Sequence, residues 1–187
     1  MNRKAVEAAR IEFNRAKDNI EALATLRPAA DFEEIQTRWA AFLSAADRMF
    51  NKLKEGASAS PQSKHWYGTK VYQRRTDPML CYLQHARNAD EHTLEVVTKS
   101  QPGLIREVEP TPEEREAFER TKGNNGPTAM TGHAVLEITE PHVRLLDVID
   151  RGVRYIPPPG CIKPYNTGML ALSILEPILF EAEALVT

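Results

Sequence analysis

The first 56 residues contain two stretches in which apolar residues recur at alternating intervals of three and four. The first stretch runs from Arg3 to Arg27 and the second from Asp31 to Gly56. Their apolar positions are Val6, Ala9, Phe13, Ala16, Ile20 and Leu23, followed by Phe32, Ile35, Trp39, Phe42, Ala46, Met49 and Leu53. This spacing places apolar side chains along one face of an α-helix. Because Pro28 ends the first stretch, we predict two helices that are joined by a short turn and pack antiparallel.

Start and stop signals predict two further helices. A third helix begins at Thr76 or Asp77, either of which can cap it, with a proline in the first turn where the missing N–H costs nothing. The last helix runs from about Thr167 to Leu185, and Pro177 is expected to kink it or to start a new turn. The segment SKHWYGTKVYQRR before the third helix is interpreted as a long loop between helices. The four helices together predict a four-helix bundle.

Between the third helix and the last, the pattern changes to one that is typical of β-strands. The runs LIREVE, AVLEITE, HVRLLDVI and GVRYI alternate or are rich in β-branched residues. Asp150, Arg151 and Gly152 stand between the last two runs and indicate a hairpin. Capping signals predict a short helix over residues 111–121. The last three of these runs predict a small antiparallel meander.

The predicted fold is mainly α, with a small antiparallel β insertion before the last helix, and is α+β overall. Residues 1–100 and 166–187 form the bundle, and residues 104–157 form the insertion. A chain of 187 residues suits one domain that carries an insertion. It is 42% hydrophobic and 27% charged, and no apolar run approaches the roughly 18 residues of a membrane span. The charged amino terminus lacks the apolar segment of a secretory signal, so we expect no membrane contact and a cytoplasmic location.

The cysteines and the missing motifs exclude several kinds of site. Cys81 and Cys161 stand far apart and match no zinc or redox spacing, so we expect reduced cysteines and neither a metal nor another cofactor. The chain has no Gly-rich phosphate loop, no GxSxG and no HExxH. These absences argue against nucleotide kinases, serine hydrolases of the GxSxG type and zinc proteases.

A net charge of −2 conceals a local excess of positive charge between Gly56 and Thr76. This segment has four basic residues and no carboxylate, and its aromatic residues alternate with the cations. Proteins use such mixtures to neutralise a nucleic-acid backbone and to stack bases. The candidate nucleic-acid contacts are Lys64, Trp66, Tyr67, Lys70, Arg74 and Arg75. The alternative is that the aromatic rings hold this segment on the bundle.

The third helix carries a cation, an amide and an imidazole, on Arg87, Asn88 and His92, within about one turn. A guanidinium binds phosphate oxygens through a planar fork of donors, and an imidazole with an unperturbed pKa of about 6.5 exchanges protons near neutrality. Asn88 and His92 share one helix face, whereas Arg87 projects about 100° away from Asn88. Arg87 can alternatively pair with Glu91 at helical spacing. His85 lies on nearly the same face as His92, which suits an auxiliary role or a buried histidine with one hydrogen bond.

The pattern Arg87-Asn88-x-x-x-His92 on a helix of a bundle resembles the motif of the HEPN superfamily. The resemblance implies a dimeric helical bundle and a metal-independent endoribonuclease, as in many toxin, defence and RNA-processing proteins. It also implies a cleft between two subunits in which Arg87, Asn88 and His92 are catalytic. One imidazole would act as the base and Arg87 would stabilise the charged transition state. The expected partners are RNA, a second copy of the chain and a protein partner such as an antitoxin.

Two other functions remain open. The first is a non-catalytic, dimeric nucleic-acid-binding or scaffold protein in which Arg87 and His92 stabilise the interface. The second is an accessory subunit that binds a small ligand or a protein through the β insertion. The functions differ in what they require of His92, because an enzyme without it loses turnover, whereas a scaffold loses stability or dimerisation.

Overall fold

A computed structural model describes residues 1–93, 97–108, 111–113, 116 and 135–186, and these ranges contain five long helices and six short strands. The helices are α1 (Arg3–Leu23), α2 (Phe32–Ala57), α3 (Pro61–Thr76), α4 (Pro78–Thr93) and α5 (Pro164–Ala184). The strands are β1 (Thr98–Gln101), β2 (Leu104–Val108), β3 (Val135–Thr139), β4 (His142–Leu145), β5 (Val148–Asp150) and β6 (Val153–Tyr155). The protein is mainly helical, which confirms that part of the predicted fold class. The short helix predicted over residues 111–121 lies largely outside the described residues.

The chain divides into two compact units. The first contains Met1–Ser100 and Val143–Thr187, and the second contains Gln101–His142. The second unit thus ends at His142 rather than at residue 157, where the sequence pattern ended the insertion. The reason is burial, because the apolar residues of β4 and β5 belong to the hydrophobic core of the helices.

Helices α1 and α2 form the antiparallel pair that their apolar stripes predict. The backbone N–H of Asn2 donates to the carbonyl of Gly56 at one end of the pair, and Arg38 donates to the Asn19 side chain towards the other end. The stripes meet in the core. Side chains with no measurable exposure include Ala9, Ala16, Ile20, Trp39, Phe42, Met49 and Leu53.

The segment that was predicted to be a loop before the third helix is itself a helix, α3, so the described chain has five long helices rather than four. Ser60 caps α3, because its hydroxyl accepts a hydrogen bond from the backbone N–H of Ser63 at 3.1 Å. Pro61 occupies the first turn. Ser63 is the buried residue of α3. A helix without a buried apolar stripe leaves no helical periodicity in its sequence, which explains why the pattern did not reveal it.

Helix α5 packs closely on α1 at Gly168 and continues through Pro177 as one helix. A Cβ atom on Gly168 would lie 2.6 Å from Cγ1 and 3.1 Å from Cγ2 of Ile20. The absence of a side chain at Gly168 therefore allows the two helices to approach. None of the helices in the described ranges is both long enough and apolar enough to span a membrane.

The six strands form three two-stranded sheets rather than a meander. β2 pairs antiparallel with β3, β5 pairs antiparallel with β6, and β1 pairs with β4. The hairpin predicted at Asp150-Arg151-Gly152 is confirmed, and its turn has positive φ angles at Arg151 (53°) and Gly152 (79°). Positive φ angles at both central residues are typical of a two-residue hairpin turn whose twist matches that of the flanking strands. The meander prediction was wrong because alternation reveals which face of a strand is buried but not which strand is its partner.

Candidate functional site

A cluster of polar side chains joins α4 to the β5–β6 hairpin in the first unit. Nδ1 of His85 lies 2.6 Å from Oδ2 of Asp150, and the side-chain amide of Asn88 donates to the same oxygen at 2.9 Å. The ring of Tyr155 stacks on the imidazole with a centroid distance of 3.5 Å and an interplanar angle of 8°. We call His85, Asn88, Asp150 and Tyr155 the His85 cluster.

Helical spacing and strand register explain how the His85 cluster forms. His85 and Asn88 are three residues apart, so they lie on one face of α4. Val148 is opposite Tyr155 in the hairpin, and Asp150 lies two residues further along, so these three side chains share one face. Val148 is 1% exposed, and its burial holds this face of the hairpin on the helices.

A second contact, one turn before His85, anchors the strands to α4. The Tyr82 hydroxyl donates to the carbonyl oxygen of Leu146 at 2.9 Å. Tyr82 is 1% exposed, and this burial raises the pKa of its hydroxyl above the usual range. Tyr82 therefore remains a neutral hydrogen-bond donor that fixes the segment between β4 and β5.

Asp150 determines which nitrogen of His85 is able to accept a proton. The hydrogen bond from Asn88, followed by the one from His85, lowers the pKa of Asp150, so the carboxylate is charged at neutral pH. A carboxylate only accepts hydrogen bonds, so Nδ1 of His85 must carry the proton. In the neutral ring the lone pair then lies on Nε2. The His85 side chain is 20% exposed. The arrangement is therefore suited to proton transfer between Nε2 and a bound molecule.

Arg87 lies beside the His85 cluster, but its charge is balanced by carboxylates. Its Nη2 is 2.5 Å from Oε2 of Glu91, and its Nε is 3.9 Å from Oδ2 of Asp47. Nη1 donates to the side-chain oxygen of Asn88 at 3.4 Å. Within the described chain, the buried Nε has no hydrogen-bond partner. Asn88 therefore connects Arg87 to Asp150, and the pairing with Glu91 that helical spacing allows is present.

The structure brings together two of the three motif residues, Arg87 and Asn88. The backbone of His92 belongs to the last turn of α4, four residues after Asn88, which places it on the same side of the helix. The imidazole of His92 lies outside the described part of the structure.

Two of the six candidate nucleic-acid contacts hold α3 on α5. The indole N–H of Trp66 donates to Oε2 of Glu181 at 2.8 Å, and Nζ of Lys70 lies 2.6 Å from the same oxygen. Burial alone would raise the pKa of Glu181, but the hydrogen bonds from Lys70 and Trp66 lower it overall. Lys70 also lies 5.7 Å from the centre of the Trp66 ring.

Two more of these residues hold α3 on α2. The Tyr67 hydroxyl donates to the carbonyl of Phe50 at 3.3 Å, and Nη2 of Arg74 lies 2.6 Å from Oδ1 of Asp47. The guanidinium of Arg74 also lies 4.5 Å from the centre of the Phe50 ring. These contacts match the alternative interpretation, in which the aromatic residues of this segment hold it on the bundle.

The remaining two candidates, Lys64 and Arg75, are exposed on α3. Only these two residues of the six therefore have cationic groups that face solvent. The candidate nucleic-acid surface on α3 is consequently smaller than its sequence indicates.

Asp150 and Tyr155 belong to the site, although sequence analysis did not identify them as site residues. Asp150 follows His85 by 65 positions, so no local spacing connects the two. Two features of the sequence could have indicated the site. His85 lies on the same helix face as Asn88, and the carboxylate of Asp150 comes directly before the predicted hairpin turn.

The described residues contain no group of three His, Cys, Asp or Glu side chains that could hold a metal ion. Both cysteines are free, with Cys161 buried and Cys81 partly buried. Comparison of the chain with protein-family models, curated proteins and solved structures found no match. The resemblance to the HEPN superfamily therefore depends on residues 87–92 and on the helices around them.

Proposed function

We propose that the protein is a metal-independent endoribonuclease of the HEPN type that acts as a cytoplasmic homodimer in defence, as a toxin or in RNA processing. The observation that carries the proposal is the His85–Asp150 pair, which lies next to Arg87 and Asn88 on α4. This pair adds an oriented proton acceptor to the cation and the amide of the motif.

Cleavage of RNA without a metal requires a base for the ribose 2′-hydroxyl, a cation for the phosphorane and an acid for the leaving oxygen. In the proposed mechanism, Nε2 of His85 takes the 2′-hydroxyl proton while Asp150 stabilises the imidazolium that forms. The 2′-oxygen attacks phosphorus, and the bond from phosphorus to the 5′-oxygen breaks. His92 donates a proton to that oxygen. The products are a 2′,3′-cyclic phosphate and a 5′-hydroxyl.

Arg87 stabilises the phosphorane in this mechanism, and it must exchange a carboxylate for phosphate oxygens to do so. Its partner Glu91 has a side chain that is 35% exposed, and the Arg87 side chain is 25% exposed. Ion pairs that solvent can reach contribute only about 0–1 kcal/mol. An RNA phosphate can therefore compete with Glu91 for Nη2 of Arg87.

The second candidate function is a non-catalytic, dimeric nucleic-acid-binding or scaffold protein. The observation that favours it is the balanced charge of Arg87, which already pairs with Asp47 and Glu91. An arginine in this setting joins α4 to α2 without any substrate.

The test is cleavage of single-stranded and structured RNAs by the purified protein in the presence of a chelator, with analysis of the product ends. We expect 2′,3′-cyclic phosphate ends from the wild type and from the control His65→Gln, because His65 is exposed on α3. We expect no cleavage by His85→Gln or Arg87→Ala, each of which must first be shown to be folded.

The Asp150→Asn variant tests whether Asp150 acts on the His85 imidazole or only stabilises the fold. The introduced amide has the size of the carboxylate, and its oxygen can accept from both His85 and Asn88, but it has no charge with which to stabilise the imidazolium. We expect kcat to fall by about 10²–10⁴-fold, the typical contribution of general-base catalysis, with a smaller change in KM.

Three results would change the assignment. RNA binding without cleavage by the wild type would favour the second candidate function. Cleavage that survives His85→Gln but is lost in His92→Ala would remove His85 from the mechanism. An active monomer in light scattering at micromolar concentration would exclude a cleft that two subunits share.

A further inference from the structure

Strands β1 and β4 direct cations away from the core of the first unit. Along β1, Thr98 is buried and Lys99 is exposed. Along β4, Val143 and Leu145 are buried, and Arg144 between them is exposed. Because the two strands pair with each other, Lys99 and Arg144 lie on the same outward face.

The β5–β6 hairpin and the segment before α5 carry further exposed cations. The side chain of Arg151 in the hairpin turn is 90% exposed, and that of Arg154 on β6 is 72% exposed. The backbone N–H of Leu145 donates to the carbonyl of Ile162 at 2.7 Å, which brings the exposed Lys163 next to β4. We call this set the cationic strand surface. It consists of Lys99, Arg144, Arg151, Arg154 and Lys163.

Few carboxylates balance the cationic strand surface. Residues 97–100 and 143–163 contain two, Asp147 and Asp150. Asp147 accepts a hydrogen bond from Arg154 at 2.8 Å, and Asp150 is occupied by His85 and Asn88. Five cations and two carboxylates leave an excess of three positive charges, which attracts a polyanion.

The cationic strand surface also adjoins the His85 cluster. Arg151 directly follows Asp150, and its Nε lies 4.0 Å from Oδ1 of that carboxylate. By contrast, α3 uses two of its four cations, Lys70 and Arg74, in ion pairs with α5 and α2. The basic region that sequence analysis identified is therefore less available than the one that the strands form.

We infer that the cationic strand surface binds the phosphate backbone of single-stranded RNA and leads it to the His85 cluster. The choice of RNA among polyanions rests on the proposed function, whereas the location of the surface rests on exposure and charge alone. Each RNA phosphate that pairs with a cation of the protein releases counterions. The affinity should therefore fall steeply as the salt concentration rises. Three unbalanced cations predict a slope of log K against log salt concentration of about −2, at about −0.7 for each contact.

The test compares two double variants that remove the same charge. Arg144→Gln with Arg151→Gln alters the strands, and Lys64→Gln with Arg75→Gln alters α3. All four side chains are exposed, so both proteins should retain the wild-type fold, which circular dichroism checks. The probe is a fluorescent 2′-O-methyl RNA of 20 nucleotides, which lacks the attacking hydroxyl and cannot be cleaved. Fluorescence anisotropy over a salt series gives the affinity and the slope.

We expect the strand variant to bind about ten-fold more weakly and to reduce the slope by about 1.4, which corresponds to two lost contacts. The α3 variant should lose much less affinity than the strand variant. Equal weakening in both variants, or weakening in the α3 variant alone, would overturn the inference. Binding of poly-glutamate in place of RNA would assign the surface to an acidic protein and would also overturn it. A wild type that binds RNA in this pattern but cleaves none would refute the proposed nuclease and leave the binding surface established.

Discussion

Replacing Gly168 with alanine should destabilise the protein, whereas the same change at Gly68 should stabilise it. Both glycines lie inside helices, Gly168 in α5 and Gly68 in α3. A Cβ on Gly168 would lie 2.6 Å from Cγ1 of Ile20, and Ile20 has no measurable exposure, so its side chain cannot simply turn out into solvent. A Cβ on Gly68 would meet nothing within 4 Å. The two sites therefore differ in packing and not in helical conformation.

The magnitude follows from two opposing effects. Alanine is favoured over glycine inside a helix by about 1 kcal/mol, and this gain applies at both positions. At Gly168, the added methyl group must displace Ile20 or separate α1 from α5, and such overpacking costs about 1–3 kcal/mol. The free energies of unfolding of the two variants should therefore differ by about 1–3 kcal/mol, with Gly68→Ala the more stable.

Urea unfolding monitored by circular dichroism gives the free energy of unfolding of both variants. The two values can be compared if the m-value stays constant. The double variant Gly168→Ala with Ile20→Ala provides the control, because it removes the side chain that the new methyl group meets. Its destabilisation should be smaller than the sum of the two single effects. A Gly168→Ala variant as stable as Gly68→Ala would show that α1 and α5 are not in close contact at this position.

Three further predictions test the hairpin and α3. The lowered pKa of Asp150 stabilises the fold at pH values above the ordinary carboxyl pKa of about 3.9, and this contribution is lost as the pH falls through the lowered value. The stability difference between the wild type and Asp150→Asn should thus be smaller at pH 3 than at pH 6 in urea unfolding, and an unchanged difference would contradict this. Tyr82→Phe leaves the partly buried carbonyl of Leu146 without its donor and should cost about 0.5–1.5 kcal/mol in the same assay, whereas a cost near zero would show that the bond adds no net stability. Ser60→Ala removes the cap of α3 and should lower the free energy of unfolding by about 1 kcal/mol. Amide exchange in the first turn of α3 should become faster, and an unchanged exchange rate would argue against the cap.

Local patterns in the sequence determined much of the helical architecture. The stripes of α1 and α2 predicted both helices and their antiparallel packing, because apolar residues at helical spacing must be buried together. The β5–β6 turn was predictable because Asp150-Arg151-Gly152 suits a backbone with positive φ angles at two consecutive residues. The spacing of Arg87 and Glu91 likewise made their ion pair foreseeable. Each of these features depends on residues close together in the chain.

The tertiary structure alone decided the partners of each strand, the helical state of residues 61–76 and the composition of the His85 cluster. Helix α3 has no apolar stripe, and its contacts reach a backbone carbonyl on α2 and a side chain on α5 that lie 17 and 115 positions away. Asp150 reaches His85 only because Val148 and Tyr82 fix the hairpin segment on α4. Periodicity and turn chemistry specify local conformation, whereas such a site requires groups 65 positions apart to be brought within hydrogen-bonding distance by packing.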